Sequence, residues 1–214
     1  MRLLVLGGSG QLGKSLVDTI TRKIGKSSND LPDAITDLRT VPRHVDINDL
    51  QVLREDIFRY RPDWIINAAA YTQVDVAEVN PLECITTNSG GAANVALCAK
   101  DIGAGLVYFS TESVFDGNST IPYSESDVCN PLSVYSISKL AGEEFTRKTH
   151  EMSYVIRTSW LYGDSTTANF PARLLANLAA TQDSVPVVTD LVGNPTPVRL
   201  LAEATLSIIQ NPPE

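Results

Sequence analysis

An apolar run, Arg2-Leu3-Leu4-Val5-Leu6, leads directly into Gly7-Gly8-Ser9-Gly10-Gln11-Leu12-Gly13. A short apolar run stopped by glycine reads as a buried parallel strand. The residues that follow read as a helix over 11–22. Glycines at 7, 10 and 13 let the backbone come close to a pyrophosphate, and the N–H groups and dipole of the new helix stabilise its charge. Gly7, Gly10, Gln11, Leu12 and Gly13 are therefore candidate cofactor contacts. A second phosphate-loop pattern, ending in Gly-Lys-Ser, overlaps the run at Gly13-Lys14-Ser15 with Gly8 five residues before Gly13. The strand–turn–helix setting favours the dinucleotide pattern.

The same alternation continues along the chain. Strands are expected over 34–38, 44–47, 63–67, 106–110 and 154–157, and helices over 49–60, 81–102 and 131–148. A polar loop is expected over 23–33. Beyond Trp160 the pattern loosens to a helix over 168–181, a strand over 185–188 and a last helix over 199–209. Strands separated by helices imply right-handed crossovers. The expected fold is α/β, a doubly wound parallel sheet (Rossmann-like). Residues 1–160 would form the nucleotide-binding domain and 161–214 a small, incomplete C-terminal substrate lobe.

Composition narrows the function classes. With 17 basic against 25 acidic residues the net charge is -8, which disfavours nucleic acid and anionic lipid as partners. Three scattered cysteines (Cys84, Cys98, Cys129) and two histidines form no ligand pattern, so no metal is expected. The opening apolar run is too short for a signal peptide or a membrane span. The expected location is cytoplasmic, with no membrane partner. The amphipathic 81–102 segment can pack on the sheet or pair two copies in a homodimer.

Further candidates follow from position. Asp37, read as the end of the second strand, would hold the adenosine ribose hydroxyls, whereas Arg39 would pair with a 2′-phosphate, so NADH and NADPH both stay open. Asp46 and Ile47 would lie near adenine, and Ala68, Ala69 and Ala70 beside the cofactor backbone. Tyr135 and Lys139, four apart on a helix, share one face. A phenol is a poor acid–base group near neutral pH, and an adjacent ammonium lowers its pKa toward the working range. Lys139 could also hold the nicotinamide ribose. Thr111, at the end of a strand, would face the same crevice and hydrogen-bond the oxygen that Tyr135 protonates. This order of features points to an oxidoreductase.

The sequence resembles the extended short-chain dehydrogenase/reductases, and within them the dTDP-4-dehydrorhamnose reductases. The stretches that carry the resemblance are GGSGQLG (7–13), PDWIINAAAYTQVDVAE (62–78), Asn88, STESVFDG (110–117), PLSVYSISKLAGE (131–143), RTSWLYG (157–163) and DLVGNPTPVRLLAE (190–203). The resemblance implies Thr111, Tyr135 and Lys139 as the catalytic set and Asn88 as support for a proton relay. It implies Tyr71, Thr72, Val74, Glu112 and Trp160 as substrate contacts, with Trp160 stacking on the sugar or base. The implied reaction is hydride transfer to a nucleotide-linked 4-keto sugar. Glu112 and Ser113 stand where the family carries Asp and Tyr, and Ser133 where Asn is common. The chain also ends before the family's last strand and the rest of its substrate lobe. Two other activities stay open on this fold: a sugar-nucleotide dehydratase or epimerase, and a non-catalytic regulatory subunit of methionine adenosyltransferase type.

Overall fold

The computed structural model describes residues 1–24, 34–42, 44–163, 169–180, 184–187 and 189–213. Of the loop expected over 23–33, residues 23 and 24 belong to the first helix and 25–33 lie outside the described residues. Strand β1 (Arg2–Leu6) is followed by α1 (Gln11–Ile24), β2 (Asp37–Thr40), α2 (Leu50–Tyr60) and β3 (Trp64–Asn67). Next come α3 (Val74–Val79) and α4 (Pro81–Ile85), a π-helical turn (Thr86–Gly91), α5 (Ala92–Ile102) and β4 (Gly105–Thr111). A short 3₁₀ turn (Glu112–Val114) leads on to α6 (Val134–Thr149) and β5 (Ser153–Thr158). The chain continues through β6 (Leu161–Tyr162), α7 (Phe170–Ala180), β7 (Thr196–Pro197) and α8 (Val198–Gln210).

Strands β1 to β5 form one parallel sheet in the order β2-β1-β3-β4-β5. The order reverses at β1, and doubly wound sheets place ligands at that switch point, outside the carboxyl ends of the strands. Alternate residues of β1 face opposite sides. Leu3 and Val5 pack with Leu16 and Ile20 of α1, and Leu4 and Leu6 pack with Leu53 and Ile57 of α2 and Val95 of α5. Both faces are apolar and covered, which explains the continuous apolar run of β1.

Helix α8 lies in the first of these cores: Val198, Leu201, Leu206 and Ile209 are buried with Leu3 and Leu16. The last helix, placed with the C-terminal lobe on sequence grounds, thus returns to the sheet. The small β6–β7 pair and α7 lie between β5 and α8.

Four expected elements are corrected. Residues 44–47 form turns, with Val45 N–H donating to Pro42 and Asp49 N–H to Asp46, so no strand intervenes between β2 and α2. Strand β2 is displaced and begins at Asp37. The helix over 81–102 is interrupted by the π turn. Residues 184–187 hold no strand; Val188 lies outside the described residues.

Candidate active site

The first turn is built as its glycines require. Gly7 has φ +73, and a Cβ there would meet the Ala68 carbonyl carbon at 2.6 Å. A Cβ on Gly13 would sit 2.1 Å from the Gly7 carbonyl oxygen. Gly10 N–H donates to that same oxygen at 3.0 Å. The loop after β1 therefore lies against the loop after β3, and α1 begins without an acidic side chain in its first turn, leaving its N-terminus suited to an anion. The residues present fit a dinucleotide pyrophosphate. The Gly-Lys-Ser alternative fails here because Ser15, which would have to reach a metal ion, is buried in the α1 interface at 1% exposure.

Two of the proposed cofactor contacts, Asp37 and Arg39, are engaged elsewhere. Asp37 pairs in register with Arg2, so it opens β2 at the edge opposite the glycine turn, and its charge adds to the burial that pushes up the Tyr60 hydroxyl, which donates to the Leu3 carbonyl at 3.2 Å. Arg39 points to the α2 side, where it pairs with Asp56 and lies 5.4 Å from the Tyr60 ring centroid. Thr40, at the end of β2, approaches the loop instead, 2.9 Å from where a Gly8 Cβ would be. Asp46 accepts from Asn48 N–H in a turn. Ile47 is buried against Gly91, and its carbonyl accepts from Asn94.

Of the proposed catalytic residues, Thr111 and Tyr135 lie near each other, and Lys139 follows one turn along α6. Thr111 ends β4 on the same edge as Gly7 and Ala68. Its hydroxyl donates toward Glu112 Oε2 at 3.1 Å and accepts from Ser113 N–H at 3.2 Å, and it lies near enough to the Tyr135 phenol to oppose the rise in its pKa. Ser133 holds Tyr135 in place by capping α6. Its hydroxyl accepts from Ser136 N–H, and Ser136 returns a bond to the Ser133 backbone, a reciprocal cap. Glu78 of α3 accepts from Val134 N–H at 2.7 Å, placing a carboxylate at the positive end of the same helix.

The Tyr135 phenol is pushed up to about 12, chiefly by burial and also by the Glu112 charge, with Thr111 pulling the other way. Lys139 is 3% exposed. Its Nζ donates to the Phe109 carbonyl at 2.6 Å and lies 4.2 Å from the Tyr108 ring centroid. Burial lowers its pKa to about 7, against a smaller opposing effect of Glu143. The Lys139 amine is held against β4 by the Phe109 carbonyl.

Asn88 bridges two elements of the site. Its amide accepts from Tyr71 N–H at 2.9 Å and donates to the Tyr71 carbonyl at 3.0 Å and to Ser138 Oγ at 3.0 Å. It clamps the Tyr71 loop to α6 from within the π turn, a helix irregularity often found at functional sites. Thr72 and Val74 lie exposed just beyond the clamp. Trp160 follows β5 on the same edge, 47% exposed and with φ 42, a strained conformation for a bulky residue.

Two residues escaped the sequence reading. Glu143 is 0% exposed and binds Arg157 of β5 through both oxygens, at 3.0 and 2.8 Å. Its spacing, four residues after Lys139, was the available signal. Gly142 lets α6 approach the π turn, since a Cβ there would lie 2.3 Å from both the Asn88 carbonyl and the Tyr108 hydroxyl.

A parallel sheet with a glycine cradle at its switch point and a Thr–Tyr–Lys set along the same edge defines a nucleotide-cofactor oxidoreductase. The whole chain, residues 1–214, matches the family described as RmlD substrate binding domain, and the protein belongs to that family. It is 36% identical to the spore coat polysaccharide biosynthesis protein SpsK of Bacillus subtilis over 212 residues, 99% of this chain and 71% of that protein. It is 34% identical to dTDP-4-dehydrorhamnose reductase of Salmonella typhimurium over 217 residues, 100% of this chain and 70% of that one. The crystal structure of dTDP-4-dehydrorhamnose reductase from Bacillus anthracis in complex with NADP superposes with a TM-score of 0.87 at 32% identity, covering 98% of this chain and 70% of the other. Among the described residues no helix is long and apolar enough to cross a membrane, and no cluster of metal-ligating side chains occurs.

Proposed function

We propose that the protein reduces the C4 keto group of dTDP-4-dehydro-L-rhamnose to dTDP-L-rhamnose, using NADPH or NADH. What supports this reading is Thr111 at the end of β4, on the strand edge that also holds the glycine cradle, with Tyr135 in the first turn of α6 beside it and Lys139 one helical turn further on. The relatives named for the same reaction support it.

Gly7, Gly10 and Gly13, with the first turn of α1, would hold the cofactor's pyrophosphate, and Ala68 would border it. A bound reduced nicotinamide supplies the hydride. The chain's own part is the proton. Tyr135 is a protonated phenol at neutral pH and donates to the keto oxygen as that oxygen gains charge. Thr111 orients the phenol and hydrogen-bonds the same oxygen. Lys139, one helical turn away, offers the positive charge that compensates the phenolate left behind. Glu112, Tyr71 and Trp160 lie where the sugar nucleotide would enter. The domain reading is narrowed to a cofactor-binding body of 1–160 with α8 added, and a substrate lobe of about 161–197. The proposal places the enzyme in the cytoplasm. It also includes a homodimer closed over the exposed apolar residues Leu82, Ile85 and Leu97, testable by sedimentation velocity.

The test is consumption of NADPH and NADH at 340 nm with the 4-keto sugar nucleotide, beside Tyr135→Phe. Turnover by the wild type and its loss in a variant that still binds cofactor is expected. Equal turnover by both would remove Tyr135 from the chemistry.

A further inference from the structure

We propose that Gln11 is a positioning residue whose side chain ties the cofactor loop to the substrate lobe, so that cofactor binding sets the lobe for the sugar nucleotide. The inference rests on the reductase reading above.

Gln11 is the first residue of α1, and its backbone belongs to the glycine cradle. Its side chain turns away from the cradle, and Nε2 donates to the Gly163 carbonyl at 3.1 Å. The same carbonyl accepts from Asn169 Nδ2 at 3.2 Å, so both of its lone pairs are engaged. Asn169 Oδ1 in turn accepts from Ala172 N–H at 3.0 Å in the first turn of α7. One carbonyl thus joins the pyrophosphate loop to the start of the lobe's helix.

The segment held in this way is bent at both ends. Trp160 has φ 42 and Gly163 φ 112, and only β6 lies between them. Gly163 adopts its φ without strain, whereas that of Trp160 is strained, and such backbone persists where its surroundings fix it and clusters at ligand sites. The Trp160 ring lies against Gly193, where a Cβ would be 2.7 Å from Cε2, and the Trp160 carbonyl accepts from Thr196 N–H at 3.3 Å. Trp160 is therefore braced by β7 on one side and, through three residues of backbone, by Gln11 on the other. Movement of the glycine loop as it closes on a pyrophosphate is transmitted along the Gln11–Gly163 bond to the residue that faces the sugar nucleotide. By linkage, the effect on the two affinities is reciprocal.

The experiment titrates the full chain calorimetrically with dTDP, without and with saturating NADPH, in the wild type, Gln11→Met and Asn169→Asp. Methionine matches glutamine in length and cannot donate. Aspartate keeps the α7 cap and turns an acceptor toward the Gly163 carbonyl. The readout is the ratio of dTDP affinities with and without cofactor, which a loss of overall stability would not selectively move. The wild type is expected to gain about five-fold or more from NADPH, and both variants to fall below about two-fold. A Gln11→Met ratio equal to that of the wild type overturns the proposal, as does a wild type that binds both ligands independently; the reductase reading survives either result. A wild type that binds neither NADPH nor dTDP defeats that reading and the coupling with it.

Discussion

Replacing Lys139 with methionine should make this protein more stable while abolishing its activity. Lys139 is almost wholly buried, and burial moves its pKa from 10.5 to about 7. At ~1.4 kcal/mol per pKa unit, holding a charged Lys139 in the fold costs roughly 5 kcal/mol. The sign follows from linkage. Between pH 7 and pH 10.5 the unfolded chain binds the proton that the folded chain has lost, so stability rises with pH across that window. The full cost applies below pH 7 and vanishes above pH 10.5. Methionine removes the charge at similar length but leaves the Phe109 carbonyl without its donor, a loss of about 1–3 kcal/mol. The net gain near pH 6 is therefore about 2–4 kcal/mol, a rise of roughly 5–15 °C in Tm for a chain of this size. Urea and thermal unfolding of wild type and Lys139→Met from pH 6 to pH 10, without cofactor, measure it. The gap should close as pH rises. A variant no more stable than the wild type at pH 6, or a gap independent of pH, would refute the argument.

Other perturbations have equally direct outcomes. Gly13→Ala forces a methyl into the Gly7 carbonyl, which should cost about 1–3 kcal/mol by overpacking and displace the pyrophosphate turn; urea unfolding and NADPH fluorescence titration check both effects. Glu143→Gln breaks the two-oxygen pairing with Arg157 and leaves a half-buried guanidinium uncompensated, so a loss of about 3–5 kcal/mol is expected in urea unfolding. Ser133→Ala removes the α6 cap at about 1 kcal/mol and should lower kcat more than cofactor affinity, because Tyr135 lies in the first turn that the cap holds.

The parts of the molecule legible in the sequence were those dictated by local chemistry. The glycine spacing predicted the cradle because no side chain fits between Gly13 and Gly7. The apolar run of β1 and the three- and four-residue periodicity of α2 report burial directly. The Tyr135–Lys139 spacing predicted a shared helix face. What could not be read depended on register and tertiary contact. Asp37 looked like a strand-end acid, and only pairing with Arg2 shows that it opens the strand instead. Val45 and Ile47 are apolar and buried, yet they fill the core from turns, a pattern that alternation alone reads as a strand. The 81–102 segment has continuous helical periodicity, and the π turn around Asn88 answers to the Tyr71 loop and to Ser138, both distant in sequence. The burial of Lys139 was equally out of reach of the sequence. Its neighbour along the helix is Tyr135, but its hydrogen-bond partner is the Phe109 carbonyl of β4.

The central claim is that hydride passes to the sugar C4 while the chain supplies only the proton. Incubating the protein with dTDP-4-dehydro-L-rhamnose and NADPH deuterated at the transferable nicotinamide position, then locating the label by NMR, tests this directly. The account predicts deuterium on C4 of the rhamnose product. A reduced sugar whose C4 hydrogen comes from water, or a keto sugar left unchanged by a chain that binds NADPH, would contradict it.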